Sequence, residues 1–139
     1  MSFNILIVDD SSSMRNIIKR TLEMSGFDIG KIFEASNGRE ALEILEEQWA
    51  DVILTDVNMP EMDGFALLKA LNTKDIVAQT PVVVVTTEGR KERIDELMDL
   101  GARACINKPF RPEDIKKTLL DALGLEALEE KADVDGCDF

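Results

Sequence analysis

Short runs of apolar residues alternate along this chain with segments whose apolar positions return every three or four residues. Ile5 to Val8, Val52 to Thr55 and Val82 to Val85 are uninterrupted by charge, which predicts strands buried on both faces. Ile29 to Ala35 reads as a weaker strand and Ala102 to Ile106 as a short fifth one. Between the first two strands, Ser11, Ser12 and Ser13 offer helix caps. Met14, Ile17, Ile18, Thr21 and Leu22 then form an apolar stripe that stops near Gly26. Asn37 and Gly38 turn the chain into a second helix with Ala41, Leu42, Ile44 and Leu45 inward, ending near Trp49. Asp63 caps a third helix that carries Phe65, Leu67, Leu68 and Leu71. Ile94, Leu97 and Met98 mark a fourth, terminated by Gly101. Pro112, Glu113 and Asp114 suit the first turn of a fifth, whose buried face is Ile115, Thr118, Leu119, Ala122 and Leu123.

Strand and helix in strict alternation predict an α/β fold, one doubly wound parallel sheet of five strands with five helices. In such a sheet the carboxyl ends of all strands lie along one edge, where open parallel sheets keep their sites. The polar residues collect there: Asp9 and Asp10 after the first strand, Asp56 after the third, Thr86 after the fourth and Lys108 after the fifth. Three carboxylates brought together repel one another unless a cation sits among them. A hard divalent ion with oxygen ligands answers that, and Mg2+ suits because it accepts few carboxylates, keeps waters and leaves room for a phosphoryl oxygen. A hydroxyl and an ammonium beside a carboxylate nucleophile then point to aspartyl phosphorylation. Each residue has an ordinary alternative: an acid as helix cap, Thr86 closing a strand, Lys108 as a solvated loop cation. Four strand ends would have to present the right chemistry by accident for all of these to hold.

Composition narrows the classes. The chain has 139 residues, enough for one domain, with 45% apolar and 32% charged residues, a globular balance. No apolar stretch approaches the roughly 18 residues a membrane helix needs, and the N-terminus lacks the basic region of a signal peptide, so a cytoplasmic location is expected. A net charge of −12 argues against nucleic acid or an anionic membrane as direct partner. Cys105 and Cys137 have no metal spacing and are expected to stay reduced. The chain has no histidine, which removes serine–histidine and cysteine–histidine catalysis and any phosphohistidine on the chain itself.

The segments I-L-I-V-D-D, A-S-N-G-R-E-A-L, T-D-V-N-M-P-E-M-D-G, P-V-V-V-V-T-T-E and N-K-P-F, in this order, resemble the response regulator receiver domains, and most closely the stand-alone chemotaxis type. The resemblance runs to about Leu125. It implies the flavodoxin-like strand order 2-1-3-4-5 known for that family. It further implies that Asp56 accepts a phosphoryl group from a histidine kinase or a small donor. Asp10 and Asp56 would bind Mg2+ by carboxylates and Asn58 by its carbonyl, with Asp9 on a coordinated water. Lys108 would pair with one phosphoryl oxygen, Thr86 would move to another, and the bond from Lys108 to Pro109 would be cis. Partner affinity would then change on the face formed by helix four, strand five and helix five. The downstream target is a flagellar motor component, a phosphatase or another regulator, and the chain is expected as a monomer or weak dimer that does not act on DNA directly. Two departures stand out. Cys105 occupies the place of a common switch aromatic, and Val57 the place of a tryptophan beside the acceptor. Asn58 and Glu88 match the chemotaxis type at positions that tune phosphoryl lifetime and hint at rapid self-dephosphorylation.

Two rivals are weaker. A phosphatase of haloacid-dehalogenase type also uses an aspartate nucleophile and Mg2+, but wants a second aspartate two residues on as general acid, where this chain has Asn58. In a small flavodoxin, Asp9 and Asp10 would repel the flavin phosphate. The expected organisation is a receiver domain over residues 1–125 and an acidic extension over 126–139, partly helical and then mobile. That extension holds six acids and one base. It is read as a solvating end, or as a segment that rests on the basic residues Arg90, Lys91, Arg93, Arg103, Lys116 and Lys117 and competes with partners.

Overall fold

The computed structural model describes residues 2–76, 79–87 and 89–125. The expectations for Glu88 and for the acidic extension lie outside these residues. Five strands and five helices alternate: β1 (Phe3–Val8), α1 (Ser12–Ser25), β2 (Ile29–Ala35), α2 (Gly38–Glu47), β3 (Val52–Thr55), α3 (Gly64–Thr73), β4 (Val82–Thr86), α4 (Lys91–Asp99), β5 (Ala104–Asn107) and α5 (Pro112–Ala122). The strands form one sheet in the order β2-β1-β3-β4-β5, every pair parallel. Val8 lies opposite both Ala35 and Thr55, so β1 and its two neighbours end in register.

The strand pleat sorts the core into two layers. Ile5 and Ile7 of β1, Val52 and Leu54 of β3, and Val83 and Val85 of β4 pack with Ile18 and Leu22 of α1 and Ile115 and Leu119 of α5. Leu6, Val8, Ile53, Val82 and Val84 face the other way, onto Ala41 of α2, Leu67 and Leu71 of α3 and Leu97 of α4. Both faces of the sheet are therefore covered, as its continuous apolar strands require.

Side-chain caps start three helices where the sequence places them. Ser11 Oγ accepts from the Met14 N–H, Asn37 Oδ1 from Glu40 and Asp63 Oδ1 from Ala66. α5 opens differently: the carboxylate of Asp114 reaches back to the Arg111 N–H.

Two expectations need correction. β5 begins at Ala104, not Ala102, because closing α4 takes up Ala102: Gly101 takes φ +110° and the Ala102 N–H is spent on the Leu97 carbonyl, so the first bond to β4 comes from the Arg103 N–H to Val82 O. Ile17, placed in the buried stripe of α1, is half exposed, since the sheet accepts only the narrower row of Ile18 and Leu22. Met98 likewise faces outward, and Leu97 alone of α4 is fully buried. No helix among the described residues is long and apolar enough to cross a membrane.

Candidate functional site

Asp9 leaves the end of β1 while still in the ladder, its N–H donating to Ala35 O at 3.0 Å. One carboxylate oxygen, Oδ1, accepts from the Ser11 N–H at 2.9 Å, and the side chain is only 3% exposed. Asp10, the next residue, is exposed. Asp56 continues β3, its N–H donating to Val8 O at 2.9 Å, and its Oδ1 accepts from the Val57 N–H at 2.8 Å. The parallel register of β1 and β3 thus sets the acids side by side: one carboxylate oxygen from each of Asp9, Asp10 and Asp56 falls within 4.8 Å of the others.

Lys108 arrives from the far side of the sheet. Its N–H donates to Thr86 O at 2.9 Å, which fixes the loop after β5 to the end of β4, and the following bond to Pro109 is cis. The ammonium stands 3.2 Å from Asp9 Oδ2 and 3.6 Å from Asp56 Oδ2, under side-chain exposures of 14% for the lysine and 15% for Asp56. Burial pushes the Asp56 carboxyl above its ordinary value of 3.8. The Val57 N–H and the Lys108 ammonium pull it down, and the neighbouring Asp9 pushes it up again.

The donor set is all oxygen and partly buried, and the Lys108 ammonium stands within 3.6 Å of two of its three carboxylates, Asp9 and Asp56. That is the chemistry of a hard divalent cation site, and these residues could hold a metal. Thr86 is buried at the end of β4 beside Lys108, opposite Asn107 in register. Asn58 lies two residues past Asp56 on the exposed loop to α3. The structure therefore joins Asp9, Asp10, Asp56 and Lys108 by short side-chain distances, Thr86 through its carbonyl, and Asn58 by chain proximity.

Three further positions shape the site. Arg15 donates to the Asp9 carbonyl at 2.6 Å and to Glu34 at 2.9 Å, tying the acidic turn to β2. Gly64 is tied back to Val57 O by its N–H at 2.8 Å, and a Cβ there would lie 2.7 Å from the Asp56 carbonyl. Asn37 and Gly38 touch the loop after Asp56 from the start of α2. Sequence reading registers Gly64 and Asn37–Gly38 only as turn residues; a contact between residues two dozen positions apart leaves no local pattern.

Beside the site, Met14, Ile17, Thr87, Lys108, Pro109 and Phe110 line a largely apolar recess of about 300 Å³. Cys105, where a switch aromatic is common, is half buried against the α2–α4 side of the core, and burial pushes its thiol up. The basic residues proposed to receive the acidic extension are already partly engaged. Arg103 donates to Ala122 O at the end of α5, and Arg93 lies over the Phe65 ring at 4.3 Å.

Comparison with known proteins agrees with this fold. The family model for the response regulator receiver domain matches residues 5–120. The chemotaxis protein CheY homolog of Campylobacter jejuni is 40% identical over 130 residues, 93% of this chain and 98% of the relative. Chemotaxis protein CheY1 of Helicobacter pylori is 41% identical over 122 residues, 86% of this chain and 96% of the relative. The solved structure of chemotaxis response regulator CheY4 of Vibrio cholerae superposes with a TM-score of 0.78 at 38% identity, covering 88% of this chain and all of that one. Nothing in these likenesses supports a phosphatase. On the matched span, the shared fold and the acidic strand ends, this chain belongs to the response regulator receiver domain family.

Proposed function

We propose that Asp56 is the phosphoacceptor of a chemotaxis-type switch, charged by a histidine kinase or a small phosphodonor. As a receiver domain of CheY type the chain is a phosphorylated switch of two-component signalling, a signalling protein and not an enzyme of the ordinary kind. The observation that carries the assignment of Asp56 is Lys108, whose single ammonium spans Asp9 and Asp56 at 3.2 and 3.6 Å.

In the transfer, a carboxylate oxygen of Asp56 attacks the phosphorus of the donor. A P–O bond forms, the P–N bond of phosphohistidine or the P–O bond of an acyl phosphate breaks, and the electron pair leaves with the donor. Lys108 neutralises a phosphoryl oxygen from beside Asp56. Asp10, Asp56 and the Asn58 carbonyl would hold Mg2+, with Asp9 on a coordinated water; the ion supplies further charge neutralisation for the phosphoryl oxygens. Asn58, exposed two residues past Asp56, tunes how fast water removes the group.

Phosphorylation adds charge where Thr86 ends β4, and the Thr86 hydroxyl turns to the new oxygen. The change passes to the face of α4, β5 and α5, where a flagellar motor component, a phosphatase or another regulator binds. With Cys105 in place of an aromatic, the change at that face is carried by Thr86. We assign the receiver domain to residues 1–125, an acidic extension to 126–139, a cytoplasmic location, and a monomeric or weakly dimeric state with no direct contact to nucleic acid.

Incubation with acetyl phosphate and Mg2+, followed by intact mass measurement, tests the assignment. Gain of one phosphoryl group by the wild type and none by Asp56→Asn is expected; equal gain by both overturns it.

A further inference from the structure

The loop from Val57 to Asp63 leaves β3 at Asp56 and returns at Gly64, where the Gly64 N–H closes on Val57 O at 2.8 Å. Its base is thus pinched, and its free tip, Glu61 and Met62, meets α2. The Gly38 N–H donates to Met62 O at 3.0 Å, and the Met62 side chain lies so close over Gly38 that a Cβ there would be 2.7 Å from its Cγ. Asn37 Nδ2 donates to Glu61 Oε2 at 3.2 Å.

Two features make that last bond more than incidental. Glu61 has φ +66°, a left-handed conformation that costs a residue with a Cβ energy and persists only where its surroundings hold it. Asn37 is 7% exposed, and its amide is used at both ends: Oδ1 caps α2 at Glu40 while Nδ2 serves Glu61. Its orientation is fixed by the cap, so the donor toward Glu61 cannot turn away.

We infer that Asn37 and Glu61 are positioning residues that clamp the metal-binding loop, so that the Asn58 carbonyl is presented to the ion and Asp56 is held for transfer. The inference rests on the proposed role of Asn58. Neither residue touches the reacting atoms. The clamp acts by keeping the loop from the wider set of conformations a pinched seven-residue loop would otherwise sample, a cost that ion binding would have to meet.

The donor and acceptor can be exchanged. Asn37→Asp keeps the α2 cap, for which aspartate is as good as asparagine, but sets a carboxylate against Glu61. Asn37→Asp with Glu61→Gln restores one donor facing one acceptor with the polarity reversed and leaves the net charge of the wild type. We expect calorimetric titration with Mg2+ alone, in metal-free protein at moderate salt, to show Asn37→Asp weakened by roughly two- to tenfold, the range one net hydrogen bond spans. The double variant should return to the wild-type affinity. The sign is diagnostic, because an added acid would tighten Mg2+ through the general field. Glu61→Ala and Glu61→Gln remove the same charge and both keep a Cβ at the left-handed position, yet only Gln keeps an acceptor, so Ala should bind more weakly than Gln. Should Asn37→Asp melt far below the wild type, this second pair still decides. Asn37→Asp as tight as wild type, no recovery in the double variant, or Ala equal to Gln each overturns the clamp. A wild type that binds no Mg2+ overturns the metal site itself, a separate failure.

Discussion

Lys108 Nζ stands 3.6 Å from Asp56 Oδ2, a contact made between strands that are not neighbours, because β4 separates β3 from β5 in the sheet. The Lys108 N–H bond to Thr86 O carries the lysine across that gap. Lys108→Met keeps the apolar stem and removes the charge. Phosphoryl uptake from acetyl phosphate should fall about 10²-fold, the scale on which one prepositioned charge acts in a transition state. Mg2+ affinity should hold or rise, since a competing cation is gone. A mass time course and a Mg2+ titration check both; uptake at the wild-type rate refutes the role.

Asp56 gives a pH dependence of defined sign. Its carboxyl titrates above the ordinary 3.8, first because it is buried. Between 3.8 and that raised value the folded state holds more protons than the unfolded chain, so stability falls as pH rises through the window. The ionised, buried group therefore destabilises the metal-free fold at neutral pH. Asp56→Asn keeps an oxygen for the Val57 N–H and removes the charge. It should raise the melting temperature in chelator at pH 7, with the gain shrinking as pH falls toward 3.8. Added Mg2+ should stabilise the wild type, by about 2.7 kcal/mol at a hundredfold excess over Kd, and not Asp56→Asn. Melting curves at several pH values, with and without Mg2+, read both effects.

Gly64 and Gly38 are tight for different reasons. A Cβ at Gly64 meets backbone, 2.7 Å from Asp56 O and 3.0 Å from Val57 Cα, and cannot be relieved without moving the chain at the end of β3. One at Gly38 meets the flexible end of Met62, at 2.7 Å from Cγ and 2.8 Å from Sδ. Gly64→Ala should cost about 1–3 kcal/mol in urea unfolding and slow phosphoryl uptake, whereas Gly38→Ala should cost less and be relieved by Met62→Ala. Equal costs at the two positions would contradict the distinction.

The sheet was legible because buried parallel strands leave unbroken apolar runs, and the acids were legible because they stand at the ends of those runs. Strand order came from resemblance to the family; periodicity carries no information on which strand neighbours which. The width of each helix's buried stripe was not legible either. Ile17 and Met98 obey the 3.6-residue period yet lie outside the row the sheet can cover. The start of β5 was misplaced because Gly101 in a left-handed turn draws the Ala102 N–H into the cap of α4. The bond from Asn37 to Glu61 was invisible, because each residue already has a local role: one as a cap, the other in a turn.

The half-exposed Ile17 also separates the two kinds of donor. It lines, with Met14, Pro109 and Phe110, the recess that shares Lys108 with the acidic cluster, so a donor protein reaching Asp56 has this apolar rim beneath it. A small acyl phosphate has no surface to rest there. Ile17→Ser strips the apolar side chain from the rim and adds no charge that could pair with Lys108, and at 50% exposure the position tolerates it. Transfer from a phosphorylated histidine kinase should slow by roughly tenfold, about 1.4 kcal/mol of lost contact, while uptake from acetyl phosphate stays within twofold of the wild type. Rapid-quench transfer beside a mass time course measures the two rates on one sample. Loss of both would mean that Ile17 supports the site itself, and retention of both would place the kinase elsewhere on the surface.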